Sequence, residues 1–233
     1  MNFSILLFLL IGYLVGSTPF AFLQAKRRGG NIFQQGSGNP GATNTLVVYG
    51  KQAAATVLAL DVLKGFVPTL LVLLITGDHT LAFWTGTGSV LGHVASLFTR
   101  FQGGKALATA AGVLLCLYPL PLAVVVVAYV LLVLLIRYIV IATTLVILGA
   151  VVFFLFFAGQ PVGDKLALLT MVAGILYRHL GNWERVYLRT EPKIGDTVSE
   201  LTLKRLVPEQ QRRVKAWYWI GVAVVFALVS LFG

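Results

Sequence analysis

Charged residues are scarce in this sequence. Only 11% of its 233 residues are charged, whereas 58% are hydrophobic and the mean hydropathy is +0.89. Soluble globular chains carry roughly a quarter charged residues, so this composition excludes a water-soluble domain. The apolar residues form long runs, each near the ~20 residues that a helix needs to cross a hydrocarbon core. The sequence therefore predicts an all-α, polytopic transmembrane helix bundle.

Cysteine and metal-ligand patterns are also nearly absent. The lone Cys116 lies in an apolar run, and no C-x-x-C or clustered Cys/His spacing occurs. An intramolecular disulfide is excluded, and we expect neither a metal nor a cofactor. No nucleic-acid-reading motif is present either. The net charge of +10 is explained by membrane topology and by attraction to anionic lipid headgroups.

Polar, Gly-rich or Pro-rich breaks separate eight apolar segments. The first segment starts without basic residues, unlike a signal peptide, and is predicted to be a retained span. Prolines 119 and 121 cannot continue a helix. The predicted spans cover 3–23, 52–76, 81–98, 106–118, 121–136, 139–158, 165–178 and 216–232.

Lysine and arginine predict the orientation of these spans, because loops on the cytoplasmic side are enriched in both. With the N-terminus outside, nearly all of the 18 basic residues fall inside, while Lys165 falls outside. The segments expected on the cytoplasmic side are 24–51, 99–105, 137 and 178–215.

Small and polar residues cluster in the segment from Gly36 to Asn44, which reads GSGNPGATN. A loop with so little side-chain bulk can turn its backbone N–H groups toward an anion such as a phosphate. The helix expected after it would add N-terminal N–H donors. A plain Gly/Asn/Pro turn is an equally open interpretation.

Two further polar segments are expected on the same face. Gly103-Gly104-Lys105 pairs accessible backbone with a cation, although a lysine beside a loop also satisfies membrane topology. His179 and Asn182 are three residues apart and share a helix face. They suit a substrate oxygen or phosphate, but interfacial polar residues that close a helix are commoner.

Asp61 and Lys64 lie within the second predicted span at spacing i, i+3. Ionisable residues at membrane depth are rare and generally pair or line a site. We predict an intrahelical ion pair that faces the active-site side of the bundle, with a purely structural pair as the alternative.

Together these segments resemble the bacterial acyl-phosphate:glycerol-3-phosphate acyltransferase family. The resemblance covers nearly the whole chain up to Gly195 and implies a membrane-integral enzyme that forms lysophosphatidic acid and phosphate. It implies acyl phosphate and glycerol 3-phosphate as substrates, and the bacterial inner membrane as the location. The resemblance rests on six segments: Gly16-Ser17-Thr18-Pro19-Phe20, Gly36 to Asn44, Asp61 to Gly65, Gly92-His93, Gly103-Gly104-Lys105, and Arg178 to Gly195.

The resemblance also implies residue roles. Ser37, Lys105, His179 and Asn182 would be catalytic, binding and orienting the phosphates and the attacking hydroxyl. Either His179 or a substrate phosphate would accept the hydroxyl proton. The implied substrate-binding residues are Gly36, Gly38, Asn39, Gly41, Thr43, Asn44, Gly103, Gly104, Arg178 and Glu191.

Four positions depart from the family pattern. Val47 stands where the family usually has arginine, and Gln102 and Ala106 replace the outer residues of Lys-Gly-Gly-Lys-Gly. Arg189 takes the place of a small residue before Thr190. Loss of an arginine removes a bidentate phosphate ligand.

The C-terminal part of the sequence exceeds the usual bundle of seven helices. We predict an acyltransferase domain at 1–195, then a basic linker and an eighth span within 196–233. The departures keep open a catalytically weak paralogue that binds phospholipid precursors or a partner enzyme. A small-anion or lipid transporter is a second alternative, although no internal repeat supports it. Protein partners are not predicted.

Overall fold

The computed structural model describes residues 3–156 and 158–194, and those residues form helices but no strand. The predicted all-α class is therefore confirmed. The predicted basic linker and last span lie outside the described residues. The helices are α1 (Phe3–Gly16), α2 (Phe20–Arg27), α3 (Ala42–Thr76), α4 (His79–Val94), α5 (Leu107–Leu117), α6 (Pro119–Ile136), α7 (Ile139–Phe156) and α8 (Val162–Tyr187).

Four of these segments are long and apolar enough to cross a membrane: α1 with α2, α3, α6 and α7. The other three predicted spans correspond to α4 and α5, which are shorter, and to α8, which is more polar. Counting α1 and α2 as one bent segment, the described residues contain the seven predicted family-like helices.

Two helices extend beyond their predicted spans. Helix α3 begins at Ala42 rather than at residue 52, but a kink at Gly50 (φ 83°) divides it into two helical segments, and the predicted start lies close to the start of the second one. Helix α8 continues past residue 178 to Tyr187. Both extensions are polar, and hydropathy marks only the part of a helix that suits lipid. Residues 42–44, which were predicted to belong to a loop, therefore lie on a helix, and residues 178–182 lie on a helix as expected.

The chain divides into two compact units after Leu122. In the first unit, α1 packs on α4, while α3 packs on both α4 and α5. The contact between α1 and α4 is made by glycines on both helices. A Cβ on Gly12 would collide with the Thr85 backbone, and a Cβ on Gly88 with the Leu9 backbone. Small residues at a helix interface let membrane helices approach until their backbones touch.

The break between α1 and α2 follows from Pro19, which has no N–H to donate. A helix broken at membrane depth must satisfy its freed carbonyls with neighbouring groups. The Ser96 hydroxyl donates to the Ser17 carbonyl, and the Lys64 ammonium donates to the Thr18 carbonyl at 3.0 Å. Side chains from two other parts of the first unit therefore stabilise the break.

The second unit is held by α7 and α8. Trp183 Nε1 on α8 donates to Thr144 Oγ1 on α7 at 3.1 Å. After α8, the Arg137 guanidinium donates to the Ile194 carbonyl at 2.8 and 3.0 Å, while the Ile194 N–H donates to the Arg137 carbonyl at 2.9 Å. The segment that follows α8 is therefore fixed to the turn between α6 and α7.

A methyl group on Gly88 tests the backbone contact between α1 and α4. We expect Gly88→Ala to lower the free energy of unfolding by about 1–3 kcal/mol, the usual cost of overpacking. Gly149→Ala on α7 is the matched control, because nothing lies within 4 Å of its added methyl group. Thermal unfolding in detergent measures both, and equal stability of the two variants would contradict the contact.

Candidate active site

Asn44 organises the loop that precedes α3. Its buried side chain accepts the Ser37 N–H at 2.8 Å through Oδ1. Its Nδ2 donates to the carbonyls of Gln35 at 3.0 Å and Ile32 at 3.3 Å. Gly36, with φ at 57°, leaves no room for a side chain beside Asn44 Oδ1. One amide therefore fixes the backbone on both sides of Gly36.

Several N–H groups of this loop are used within it. Gly38 donates to the Gln35 carbonyl, Asn39 to Ser37 Oγ, and Gly41 to the Asn39 carbonyl. Helix α3 then begins at Ala42 with no side chain capping its N-terminus. Uncapped N–H groups at a helix N-terminus favour an anion. The anion donors predicted for this segment are therefore concentrated at the start of α3 rather than spread along the loop.

Gly103 and Gly104 lie against the C-terminal end of α4. The Gly104 N–H donates to the His93 carbonyl at 3.0 Å. A Cβ on Gly104 would collide with His93 Nε2 and with the Pro40 carbonyl, and a Cβ on Gly103 would collide with the His93 and Val94 carbonyls. The two predicted glycine segments of the first unit are thus brought together at Pro40 and Gly104.

Lys105 follows this contact directly and is half-buried. The next residue, Ala106, precedes the first residue of α5 with a left-handed backbone (φ 59°). This conformation favours glycine, so the family's usual glycine at this position has a structural reason. The backbone keeps that turn with alanine in place.

A buried polar cluster lies between α3, α4 and α5. The predicted ion pair is confirmed, with Lys64 Nζ 2.8 Å from Asp61 Oδ1. His93 Nδ1 lies 3.5 Å from Asp61 Oδ1 and 3.2 Å from Thr109 Oγ1. Asp61 therefore contacts a side chain on α4 in addition to the lysine on its own helix.

In the second unit, Glu191 bonds two side chains of α8. Asn182 Nδ2 donates to Glu191 Oε1 at 2.6 Å, and Arg185 Nε donates to Glu191 Oε2 at 2.7 Å. Glu191 is buried, whereas the Arg185 side chain is 43% exposed. The carboxylate thus orients the Asn182 amide. Substrate binding by Glu191 itself stays a prediction.

His179 is fully buried on α8. Its Nδ1 lies 2.9 Å from the Ile175 carbonyl. A carbonyl only accepts, so Nδ1 carries a proton. In the neutral ring the lone pair is then on Nε2. Arg178 precedes His179 on the same helix and is half-buried.

The turn after α8 shows why the family usually has a small residue where this chain has Arg189. The Thr190 N–H donates to the Arg185 carbonyl and the Arg189 N–H to the Val186 carbonyl. Arg189 is left-handed, with φ at 57°. This is the Schellman ending of a helix, in which glycine is preferred at the left-handed position.

The structure places every predicted site residue in one of two sets. The first unit carries the loop from Gly36 to Asn44 with Gly103, Gly104 and Lys105, and the second carries Arg178, His179, Asn182 and Glu191. Thr109 was missed by sequence reasoning, because a lone threonine in an apolar run gives no signal. His93 was noted as part of a motif but was assigned no role.

A family model described as glycerol-3-phosphate acyltransferase matches residues 6–188. This chain belongs to the glycerol-3-phosphate acyltransferase family. The glycerol-3-phosphate acyltransferase of Bacillus cytotoxicus is 41% identical over 196 residues, which cover 82% of this chain and 96% of that protein. The one of Bacillus subtilis is 36% identical over 192 residues, covering 82% and 97%.

Two crystal structures of PlsY (YgiH), an integral membrane glycerol 3-phosphate acyltransferase, have the same fold. The glycerol 3-phosphate form has a TM-score of 0.76 at 36% identity and covers 82% of this chain and 96% of that one. The lysophosphatidic acid form has a TM-score of 0.74 at 36% identity and covers 85% and 99%. Together with the apolar helices, this similarity establishes a multi-pass membrane protein.

The family match includes both positions at which an expected cation is missing. Val47 and Gln102 lie within residues 6–188, as does Ala106, whereas Arg189 follows directly after the matched range. The membership of this acyltransferase chain in the family therefore does not depend on Val47 or Gln102 being basic.

Replacing Asn44 tests whether it organises the loop. Asn44→Ala removes three hydrogen bonds, and we expect a loss of about 2–4 kcal/mol in the free energy of unfolding. Gln34→Ala, at an exposed position of the same loop, is the control and should change stability by less than about 0.5 kcal/mol. Unfolding in detergent measures the free energy of unfolding of both variants. A change as small for Asn44→Ala as for Gln34→Ala would show that the loop is held by other contacts.

Proposed function

We propose that this chain transfers a fatty acyl group from acyl phosphate to the sn-1 hydroxyl of glycerol 3-phosphate. The products are lysophosphatidic acid and inorganic phosphate, in a step of phospholipid biosynthesis. The observation that carries the proposal is the contact between the two glycine segments, Pro40 against Gly104, beside Lys105 and the uncapped start of α3. Both substrates carry phosphate, and one carries a chain that belongs in lipid.

The phosphate-binding groups of this proposal come from three nearby elements. The first turn of α3 offers N–H donors at the positive end of a helix. Ser37 is exposed in the loop before that helix and offers a hydroxyl donor. Lys105 supplies a cation, and charge-assisted hydrogen bonds to phosphate are about twice as strong as neutral ones.

The reaction follows from the chemistry of the donor. Acyl phosphate is a mixed anhydride, so the glycerol hydroxyl oxygen attacks the acyl carbon and the bond from that carbon to the phosphate oxygen breaks. The phosphate leaves readily, and direct transfer needs no covalent acyl-enzyme. Negative charge that develops on the departing phosphate is stabilised by Lys105. Holding both substrates in the correct relative position supplies much of the remaining rate enhancement.

Roles in handling the glycerol hydroxyl are proposed for His179 and Asn182. His179 donates through Nδ1 to the Ile175 carbonyl, which leaves Nε2 as the basic atom of the neutral ring. That atom suits acceptance of the hydroxyl proton, with a substrate phosphate as the alternative acceptor. Asn182 is oriented by Glu191 and suits a hydrogen bond to a substrate oxygen.

The placement in the membrane is part of the proposal. The resemblance to the family supports the inner membrane as the location, and the distribution of lysine and arginine supports an N-terminus outside and an active site toward the cytoplasm. Residues 1–195 would form the acyltransferase domain. Residues 196–233 would form a basic linker and an additional transmembrane helix.

One observation favours a second candidate function, a weakly active paralogue that binds phospholipid precursors. Val47 is 75% exposed on α3, near the proposed phosphate site in the sequence, and supplies no charge. Gln102 likewise supplies no charge beside Gly103. The retention of Ser37, Lys105, His179 and Asn182 supports the active enzyme instead.

Phosphate release by the purified protein tests the proposed function. With palmitoyl phosphate, we expect release that depends on glycerol 3-phosphate and is matched by lysophosphatidic acid. Lys105→Ala and His179→Ala should each lower kcat/KM at least about a hundredfold. Lys51→Ala, at an exposed lysine on α3, is the matched control and should leave it unchanged. Folded wild-type protein that releases no phosphate would support the binding paralogue.

Val47→Arg tests whether the missing cation limits binding. We expect KM for glycerol 3-phosphate to fall about fivefold, a gain near 1 kcal/mol from a restored phosphate ligand. Leu46→Arg adds the same charge at an exposed neighbouring position on another side of α3 and should leave KM unchanged. Equal effects of the two variants would indicate general charge attraction rather than a specific site.

A further inference from the structure

The cluster of Asp61, Lys64, His93 and Thr109 takes no direct part in the proposed reaction. All four side chains are buried, at 2%, 5%, 7% and 0% exposure. Polar groups are costly to bury unless they are bonded, so a membrane bundle retains such a cluster for a reason. All four residues lie in the first unit, which also carries the proposed phosphate-binding segment.

Asp61 and His93 together connect α3, α4 and α5. Within α3 its carboxylate pairs with Lys64 at 2.8 Å, and the same ammonium donates to the Thr18 carbonyl, next to Pro19. Across to α4, the carboxylate lies 3.5 Å from His93 Nδ1. Thr109 on α5 lies 3.2 Å from that same nitrogen. The Nδ1 edge of the imidazole therefore bonds Thr109 on α5 and lies beside the Asp61 carboxylate on α3.

The opposite edge of the His93 ring meets the glycine segment. Its Nε2 occupies the space in which Gly104 would otherwise carry a Cβ. The His93 carbonyl accepts the Gly104 N–H at 3.0 Å. Gly104 thus bonds the backbone of His93 and packs closely against its ring, with the Pro40 carbonyl nearby. Lys105 is the next residue, so the position of its backbone follows from this contact.

We propose that Asp61 and His93 are positioning residues that hold Gly103, Gly104 and Lys105 in place to bind a substrate phosphate. The inference rests on the proposed function. Asp61 orients the His93 imidazole, and the imidazole packs against Gly104 and limits its position. Because Lys105 is the next residue, the position of Gly104 determines where the Lys105 backbone lies. Lys64 balances the charge of Asp61 and ties it to the break between α1 and α2.

A purely structural ion pair makes a different prediction. The pair between Asp61 and Lys64 lies within one helix, and its loss would lower stability without changing the affinity for substrate. The contact from Asp61 to His93 links α3 to the glycine segment. Its loss should raise KM for a phosphate substrate even in a well-folded protein, while kcat changes less.

Asp61→Asn alone is a poor test, because it leaves Lys64 buried without its carboxylate, which is strongly destabilising. The double variant Asp61→Asn with Lys64→Met removes both charges. We expect it to fold and to raise KM for glycerol 3-phosphate or palmitoyl phosphate about fivefold or more, with kcat within about twofold of wild type. Unchanged KM for both substrates in the folded double variant would overturn the inference.

Asp78→Ala is the matched control for a loss of stability alone. Asp78 caps the opposite end of α4, where its side chain accepts the Leu81 N–H. Removing such a cap destabilises a helix. We expect a lower unfolding temperature and wild-type KM for both substrates. A raised KM in this control would show that the effect of the double variant reflects general destabilisation.

His93→Asn tests the contact between the His93 ring and Gly104. Its amide can still reach toward Asp61, but nothing then fills the space beside Gly104. We expect the same rise in KM. The His93→Asn variant also tests the inference by itself if the double variant at Asp61 and Lys64 fails to fold. Combining His93→Asn with Gly104→Ala should give a lower KM than Gly104→Ala alone, because the methyl group no longer meets the ring. Purely additive effects would contradict direct contact.

Failure of this inference is distinguishable from failure of the proposed function. If folded wild-type protein forms no lysophosphatidic acid from palmitoyl phosphate and glycerol 3-phosphate, the proposed function is wrong. If wild type is active and the variants at Asp61 and His93 keep wild-type KM values, only the positioning role is wrong.

Discussion

The backbone contact between α1 and α4 sets the geometry on which the first unit depends. Lipid gives no hydrophobic drive for helices to associate, so close van der Waals contact must supply it. Glycines on both helices allow that contact, with Gly16 against Ser89 and Gly92 against Tyr13. The same approach brings the end of α1 to the end of α4, where Ser96 bonds the Ser17 carbonyl.

The polar interior of the first unit follows from the breaks in its helices. Where α1 ends before Pro19, carbonyls at membrane depth need donors, and Lys64 supplies one to Thr18. A buried lysine in turn needs a counter-charge, which Asp61 provides. The carboxylate reaches His93 and, through it, the backbone of Gly104. The elements that make the bundle irregular are thus also the ones that position the proposed phosphate site.

Sequence predicted the helices and the pairs that are close along the chain, but not the contacts that join distant segments. Asp61 and Lys64 share a helix face at i, i+3, so their pairing could be foreseen. The contacts of His93 with Asp61 and Thr109 depend on how three helices pack, and no periodicity indicates them. Asn44 was expected to bind substrate, and its three bonds to its own loop could not be read from composition.

The departures from the family pattern separate into two physical kinds. Ala106 and Arg189 occupy left-handed backbone positions, at which a residue other than glycine costs about 1 kcal/mol and no charge is lost. At Arg189 the turn is held by two Schellman hydrogen bonds, from Thr190 to the Arg185 carbonyl and from Arg189 to the Val186 carbonyl. Val47 and Gln102 instead remove expected cations without any constraint on the backbone. Of the four departures, we therefore expect Val47 and Gln102 to affect activity most, since they change the electrostatics of the proposed phosphate site.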